Sequence, residues 1–294
     1  MAHFKSSPSE PPLMKPTKVK NTGWSPLAIP SKKAWDGKDR PQGWRGQVYG
    51  LVVHTTGRGL PEKAAKECVY PTVRAVNYYS KSHGCHYVNG YKGHAGGDLI
   101  QMAHEDEQAN GVGTTEQRES ILSKDGWQSD LPPHVVKRWK ARWPGYANPL
   151  DLLPGTKTCN PAYLHVECIP LIEAFMQDGQ CGTDIVQPVD TGMLFTYDQH
   201  DTVAALACDI AFRNKWPDEW WRTPRLLGHE DLTPITRHNS KGAWDPGHLR
   251  AKPWFDWNLV MELVMTHLDR VSYDDEDVLK LPRPAGSKGH YSRY

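Results

Sequence analysis

Two histidines and one aspartate stand where the chain could assemble a metal centre. His54 follows the apolar run VYGLVV (48–53), and His229 follows the shorter run RLLG (225–228). Each histidine therefore ends an expected buried strand and opens a loop, where side chains can meet a cleft. Asp245 lies in the turn sequence WDPG (244–247), which can aim a carboxylate. Two imidazoles and one carboxylate, with a fourth position left for water, form a ligand set of catalytic zinc sites.

Strand and helix patterns alternate along the rest of the chain. Strands are expected at 85–88, 99–102, 163–169 and 225–228, and helices at 63–80, 203–212 and 254–268. The sequence TYDQ (196–199) fits a capping box ahead of the second helix. This mixture predicts an α/β fold, in which helices flank a central mixed β-sheet and a zinc cleft opens at the strand ends.

The strand expected at 163–169 carries a carboxylate on its polar face. Alternation puts the apolar residues 164, 166 and 168 on one face, and His165 and Glu167 on the other. Glu167 can therefore face a cleft.

Five segments, in chain order, resemble the zinc amidases of the N-acetylmuramoyl-L-alanine amidase type 2 family. That family includes amidase-type phage lysins and peptidoglycan recognition proteins. The segments are VVHTT (52–56), HYV (86–88) with GDLIQ (97–101), YLHVE (163–167), FTYDQ (195–199), and GHEDLTP (228–234) followed by DPG (245–247). Each segment alone is a weak motif, so the resemblance depends on their order and spacing, and it covers roughly residues 45–265.

The resemblance implies a role for each candidate residue. His54, His229 and Asp245 correspond to the family's zinc ligands. Glu167 corresponds to the glutamate that activates the attacking water. Some members instead use a tyrosine just before the histidine–aromatic pair, but that position is Cys85 here, which favours Glu167.

Three departures from the family pattern leave alternatives open. The interval from His229 to Asp245 is sixteen positions, longer than is usual in the family. A basic residue commonly lies two positions before the third ligand and steadies the oxyanion. That position is Ala243 here, which leaves Lys241 or Arg237 for the role. The family's aromatic-His-Ala-Gly step is NGVG (110–113), which leaves the substrate contacts there open.

The longer interval also leaves other donors as possible third ligands. These are Asp231, His238 and His248, although the Asp-Pro-Gly sequence favours Asp245.

The resemblance implies a zinc-dependent hydrolase that cleaves the amide between N-acetylmuramic acid and L-alanine in bacterial peptidoglycan. Such an enzyme would act as a phage lysin or as a virion-associated, wall-degrading enzyme. Two alternatives remain: a peptidoglycan-binding or structural module without turnover, and a cytoplasmic amidase that recycles muropeptides. The retained ligands and Glu167 favour an enzyme, with Glu230 as the next candidate base.

Composition divides the chain into an amidase domain at 46–268, an N-terminal arm at 1–45 and a tail at 269–294. The arm holds nine Lys and Arg against three acidic residues, and prolines recur through it. Since it has almost nothing to bury, we expect it to become ordered only against another chain, such as a phage structural protein. Deleting residues 1–40 should then leave activity intact.

An insertion is expected at 114–160, with a basic helix at 133–143. Its Val and Trp side should pack on the core while its charges are solvated.

Charge, hydropathy and cysteine spacing exclude several other classes. A net charge of +1 argues against a nucleic-acid binder. The sequence contains no run of about 18 apolar residues, so no membrane span is predicted. Six cysteines without C-x-x-C spacing predict reduced, buried thiols. The first 20 residues lack the apolar run of a signal peptide. We therefore expect synthesis in a host cytoplasm and delivery to the cell wall in a phage particle or after release.

Overall fold

The computed structural model of the chain describes residues 22–36, 48–57, 63–64, 71–90, 99–112, 132–146, 159–170, 194–239, 245–250 and 253–270. Six strands form one sheet: β1 Ile29–Pro30, β2 Gly50–Thr55, β3 Tyr87–Asn89, β4 Leu99–Gln101, β5 Tyr163–Cys168 and β6 Leu226–Gly228. The helices are α1 Pro71–Ser82, α2 Pro133–Arg142, α3 Tyr197–Arg213, α4 His229–Leu232, α5 Pro234–Asn239 and α6 Trp257–Arg270, and a 3₁₀ turn covers Trp220–Arg222.

The sheet is mixed, with strand order β1-β4-β3-β5-β2-β6. Strands β3 and β4 are antiparallel, and the other neighbouring pairs are parallel. The longest pairing joins β2 to β5 and sets His54 beside Glu167. The expected α/β fold, with helices and a mixed sheet, is confirmed.

The two faces of the sheet bury different cores. Leu51 and Val53 of β2 and the apolar residues of β5 face helices α3 and α6. Thr196 caps the N-terminus of helix α3 in the predicted capping box, in which its hydroxyl accepts from the Gln199 amide. The opposite face carries Val52 and Tyr163, on which the aromatic side of α2 packs. The expected orientation of the polar residues of β5, away from its apolar ones, is therefore confirmed.

Helix α2 covers the sheet as expected, with Trp139 and Trp143 buried. Its charges are not all solvated, and this part of the prediction is wrong. The Arg142 guanidinium lies 3.8 Å from the ring centroids of both Trp143 and Trp257 and forms an ion pair with Asp231 at 3.0 Å. Burial lowers the pKa of Arg142 to about 10, so the side chain stays charged near neutral pH.

The prediction of an extended arm at 1–45 is wrong for the part that the structure describes, residues 22–36. Within residues 22–36, β1 pairs with β4, Trp35 is buried in the core beside α1, and the Ser25 hydroxyl donates to Asp209 at 2.7 Å. This segment is part of the domain, because β1 extends the edge of the sheet, Trp35 packs in a core and Ser25 forms a hydrogen bond with α3. Deleting residues 1–40 would remove it and cannot isolate the arm. Residues 1–21 and 37–47 lie outside the described residues.

The described cysteines, Cys85, Cys159, Cys168 and Cys208, are free and buried, as predicted. No helix in the described ranges is long and apolar enough to cross a membrane. Most of the expected insertion, at 114–131 and 147–158, lies outside the described residues, as does the tail from residue 271.

A buried ion cluster ties the N-terminal segment to α3 and generates a stability prediction. Arg213 pairs with Glu105 at 2.6 Å and with Asp209 at 2.8 Å, and all three are buried. The Arg213→Met variant leaves both carboxylates buried without their cation, so we expect the free energy of unfolding to fall by about 3–5 kcal/mol.

The matched control is Arg222→Met, which breaks the exposed Arg222–Glu219 pair. Exposed pairs contribute about 0–1 kcal/mol. Urea unfolding of both variants measures the difference. Equal losses would contradict a structural role for the buried cluster.

Candidate metal centre

His54 and His229 reach the same place because they lie at the carboxyl ends of neighbouring parallel strands. His54 is the penultimate residue of β2, and His229 comes directly after β6. Their ring centroids are 4.7 Å apart in an edge-to-face arrangement. Both side chains are buried.

Asp245 completes the cluster from the loop that precedes α6. Its Oδ2 lies 3.0 Å from His229 Nδ1 and 3.5 Å from His54 Nδ1, while its Oδ1 accepts a hydrogen bond from the Thr55 amide. Strand β2 therefore supplies one histidine and also orients the carboxylate that faces it.

The loop that carries Asp245 is anchored by the two acidic residues after His229. Glu230 Oε1 accepts hydrogen bonds from the amides of Gly247, His248 and Leu249. Asp231 pairs with His248 at 3.0 Å. At Gly247 the backbone has φ +98°, and a Cβ there would lie 2.9 Å from the Trp254 ring, which accounts for glycine in the Asp-Pro-Gly sequence.

These contacts resolve two of the alternative ligands left open by the sequence. Asp231 is held by the Gly228 amide, Arg142 and His248, and His248 lies between Asp231 and Glu230. Neither belongs to the cluster. The side chain of His238, in α5, is outside what the structure describes.

Electrostatics favours a neutral imidazole beside an ionised carboxylate. Burial lowers the pKa of His54 despite the opposing effect of Asp245, so His54 keeps a lone pair at neutral pH. Burial alone would raise the pKa of Asp245, but the hydrogen bonds from His229 and His54 outweigh it and hold the pKa below its usual value. Metal ligands need these protonation states.

The donor set fits a metal ion. One donor atom from each of His54, His229 and Asp245 lies within 4.8 Å of the others. Two donors at about 2.0 Å from a tetrahedral ion are roughly 3.3 Å apart. The carboxylate-to-imidazole separations of 3.0 and 3.5 Å bracket that value. The buried group could therefore bind a metal ion.

Glu167 lies beside the cluster, since its position in β5 pairs with that of His54 in β2. It is buried, and its Oε2 has no hydrogen-bond partner among the described residues. Burial and then the charge of Asp245 raise the pKa of Glu167 well above its usual value. A hydrogen bond from Tyr79 and the charge of Arg237 oppose this shift.

Cys85 and Tyr79 are neighbours of Glu167. Cys85 is buried near it, and burial, followed by the Glu167 charge, raises the pKa of its thiol. Tyr79, from α1, forms a hydrogen bond with Glu167, which could not be predicted from the sequence. The buried spacing of Thr72, Ala75, Val76 and Tyr79 on α1 indicates only that Tyr79 lies on the buried face of the helix.

The structure describes one of the two cations considered for the oxyanion. Arg237 Nη2 lies 3.0 Å from both ring nitrogens of His229, so its charge is at the cluster. Lys241, the first choice from the sequence, lies outside the described residues.

Comparison with protein-family models, with curated proteins and with solved structures gave no match. The interpretation of the site therefore depends on the chain's own residues.

Metal analysis of a ligand variant tests the cluster. The wild-type protein should carry about one metal ion per chain, and His229→Ala should lose most of it, because one of three protein ligands is removed. Elemental analysis after dialysis measures both. His104→Ala is the control, since His104 binds the Thr22 carbonyl outside the cluster. Full occupancy in His229→Ala, or equal loss in the control, would refute the assignment.

Proposed function

We propose that this protein is a zinc-dependent amidase that hydrolyses the amide between N-acetylmuramic acid and L-alanine in peptidoglycan. The observation that carries the proposal is a carboxylate oxygen, Glu167 Oε2, buried beside a three-donor cluster and lacking a hydrogen-bond partner among the described residues. A polar atom buried in this way costs about 1–3 kcal/mol, so a catalytic partner is a reasonable explanation.

The number of donors favours a catalytic rather than a structural site. Structural zinc sites usually have four protein ligands, whereas catalytic sites have three and leave a position open. The described part of the chain brings together His54, His229 and Asp245, and Glu167 stands apart from them as a candidate base. When bound, zinc would polarise the scissile carbonyl and lower the pKa of a water molecule to about 7.

Glu167 is suited to move the proton. Amide hydrolysis needs a group that takes a proton from the attacking water and returns one to the leaving nitrogen. A carboxylate with an ordinary pKa would accept a proton poorly. Burial, and then the charge of Asp245, raise the pKa of Glu167, which favours both taking a proton from the water and returning one to the leaving nitrogen. Tyr79 donates to Glu167 and so helps to orient it.

A cation is needed where negative charge develops on the carbonyl oxygen. Arg237 lies beside His229 and acts on both Glu167 and His54 through its charge, which supports this role for its guanidinium. Lys241 stays a prediction for the same role.

The substrate class comes from the five-segment resemblance rather than from the site geometry. Phage-associated wall degradation, with the arm docking on a phage structural protein, is proposed on the same basis. Within the arm, that docking would involve residues 1–21 and 37–45, since residues 22–36 pack within the domain.

The proposal is tested by digesting purified peptidoglycan with and without a chelator and identifying the fragments by mass. We expect free stem peptides that begin with L-alanine, and no release after chelation. Binding without release would favour a non-catalytic module. Release from soluble muropeptides but not from intact wall would favour a recycling enzyme.

A variant of the candidate base gives a sharper test. Glu167→Gln preserves size but removes proton transfer, so we expect activity to fall about 100-fold or more while the metal is retained. Glu262→Gln, on the exposed side of α6, is the control. Near wild-type digestion by Glu167→Gln would move the base elsewhere, with Glu230 next in line.

Paired variants decide between the two cations. Arg237→Ala should lower kcat about 10²–10³-fold if the guanidinium stabilises the oxyanion, with metal content unchanged. Lys241→Ala should then have little effect. The reverse result would assign the role to Lys241.

A further inference from the structure

One buried histidine beside the metal centre has no role in the reaction as proposed. His165 faces the same side of the sheet as His54 and Glu167, and its Nδ1 lies 2.9 Å from His54 Nε2. The opposite nitrogen of His54, Nδ1, points to Asp245 at 3.5 Å. His54 therefore presents one nitrogen to the cluster and the other to His165.

In a neutral imidazole, one ring nitrogen carries the proton and the other has a free lone pair. If Nδ1 of His54 binds a metal ion, its proton must reside on Nε2. An acceptor for that proton would fix both the tautomer and the ring orientation of His54. His165 Nδ1 is at hydrogen-bond distance and can accept if its own proton is on Nε2.

We propose that His165 is a positioning residue that accepts the Nε2 proton of His54 and thereby directs His54 Nδ1 to the metal. The inference rests on the metal centre of the proposed function but not on amide hydrolysis. The family resemblance assigns no role to this position.

The surroundings of His165 hold it in place for this role. Its backbone amide donates to His86 Nδ1 at 3.1 Å, and His86 Nε2 lies 2.9 Å from the Glu107 carbonyl. Because His86 Nδ1 accepts, its proton is on Nε2 and is donated to Glu107. The His86 and His165 rings are stacked, with 10° between their planes.

Gly111 closes the space beside the His165 ring. A Cβ on Gly111 would lie 2.2 Å from His165 Nδ1, much closer than real contacts allow. A larger residue at this position would therefore displace the ring from His54.

The test measures zinc affinity by chelator competition, without an activity assay. His165→Leu removes the acceptor, and we expect the Kd for zinc to rise about 10–100-fold. His165→Asn places an amide oxygen near the position of Nδ1 and should recover most of that affinity. Gly111→Ala keeps every donor but displaces the ring and should also weaken binding. Gly145→Ala, where an added Cβ meets nothing within 4 Å, is its control.

A second readout needs no variant. Long-range ¹⁵N–¹H correlation spectra of the zinc-loaded wild-type protein should show the His54 proton on Nε2. A proton on Nδ1 would overturn the inference, as would equal zinc affinity in wild type and His165→Leu. Equal weakening in the Leu and Asn variants, with lower melting temperatures for both metal-free forms, would show that His165 is only structural.

The outcomes also separate this inference from the proposed function. A wild-type protein that binds zinc but leaves peptidoglycan intact refutes the amidase, while the affinities of the His165 variants still decide the inference. A wild-type protein that binds no zinc refutes both.

Discussion

Glu230 anchors the segment that carries Asp245 into the candidate metal centre, although it is not one of the three possible ligands. It directly follows His229 and accepts hydrogen bonds from three successive amides, those of residues 247–249. Its own amide donates to the Asp245 carbonyl. Hydrogen bonds to a charged group contribute about 1.5–3 kcal/mol each, so together they can offset the cost of burying the carboxylate. These hydrogen bonds hold Asp245 beside His229, from which it is sixteen positions away in the sequence.

Asp231, His248 and Arg142 form a second set of ion pairs that holds the segment carrying Asp245. Burial alone would raise the pKa of Asp231, but His248 and Arg142 outweigh it and lower the pKa. The same carboxylates, Asp231 first and then Glu230, raise the pKa of His248 against its burial. Arg142 comes from α2, a helix within the expected insertion, and its guanidinium lies against two tryptophans. The helix is therefore part of the support of the ligand loop.

The sequence predicted the parts of the site that depend on strand geometry. His54, Glu167 and His229 follow from where strands end and from alternation along β5, because these patterns are local. Asp245 followed from its turn sequence and from the family resemblance, which itself stays a prediction. His54, His229 and Asp245 lie together in the structure as a possible metal site, while the identity of the metal is part of the proposal.

Features that depend on tertiary contacts were missed or misjudged. Strand β1 has two residues in a Pro- and Lys-rich context, so its pairing with β4 leaves little local signal. Arg142 looked like a solvated charge because nothing near it in sequence reveals Asp231. The sequence assigned no role to Tyr79 or His165, since their partners Glu167 and His54 come from other elements.

The most direct test of the central claim is a crystal structure of the zinc-loaded protein with anomalous data collected at the zinc absorption edge. We expect one strong anomalous peak, bonded to the imidazoles of His54 and His229 and to the carboxylate of Asp245, with Glu167 nearby but not bonded to it. A peak held by other residues, such as Asp231 and His248, or no peak at the cluster, would contradict the account.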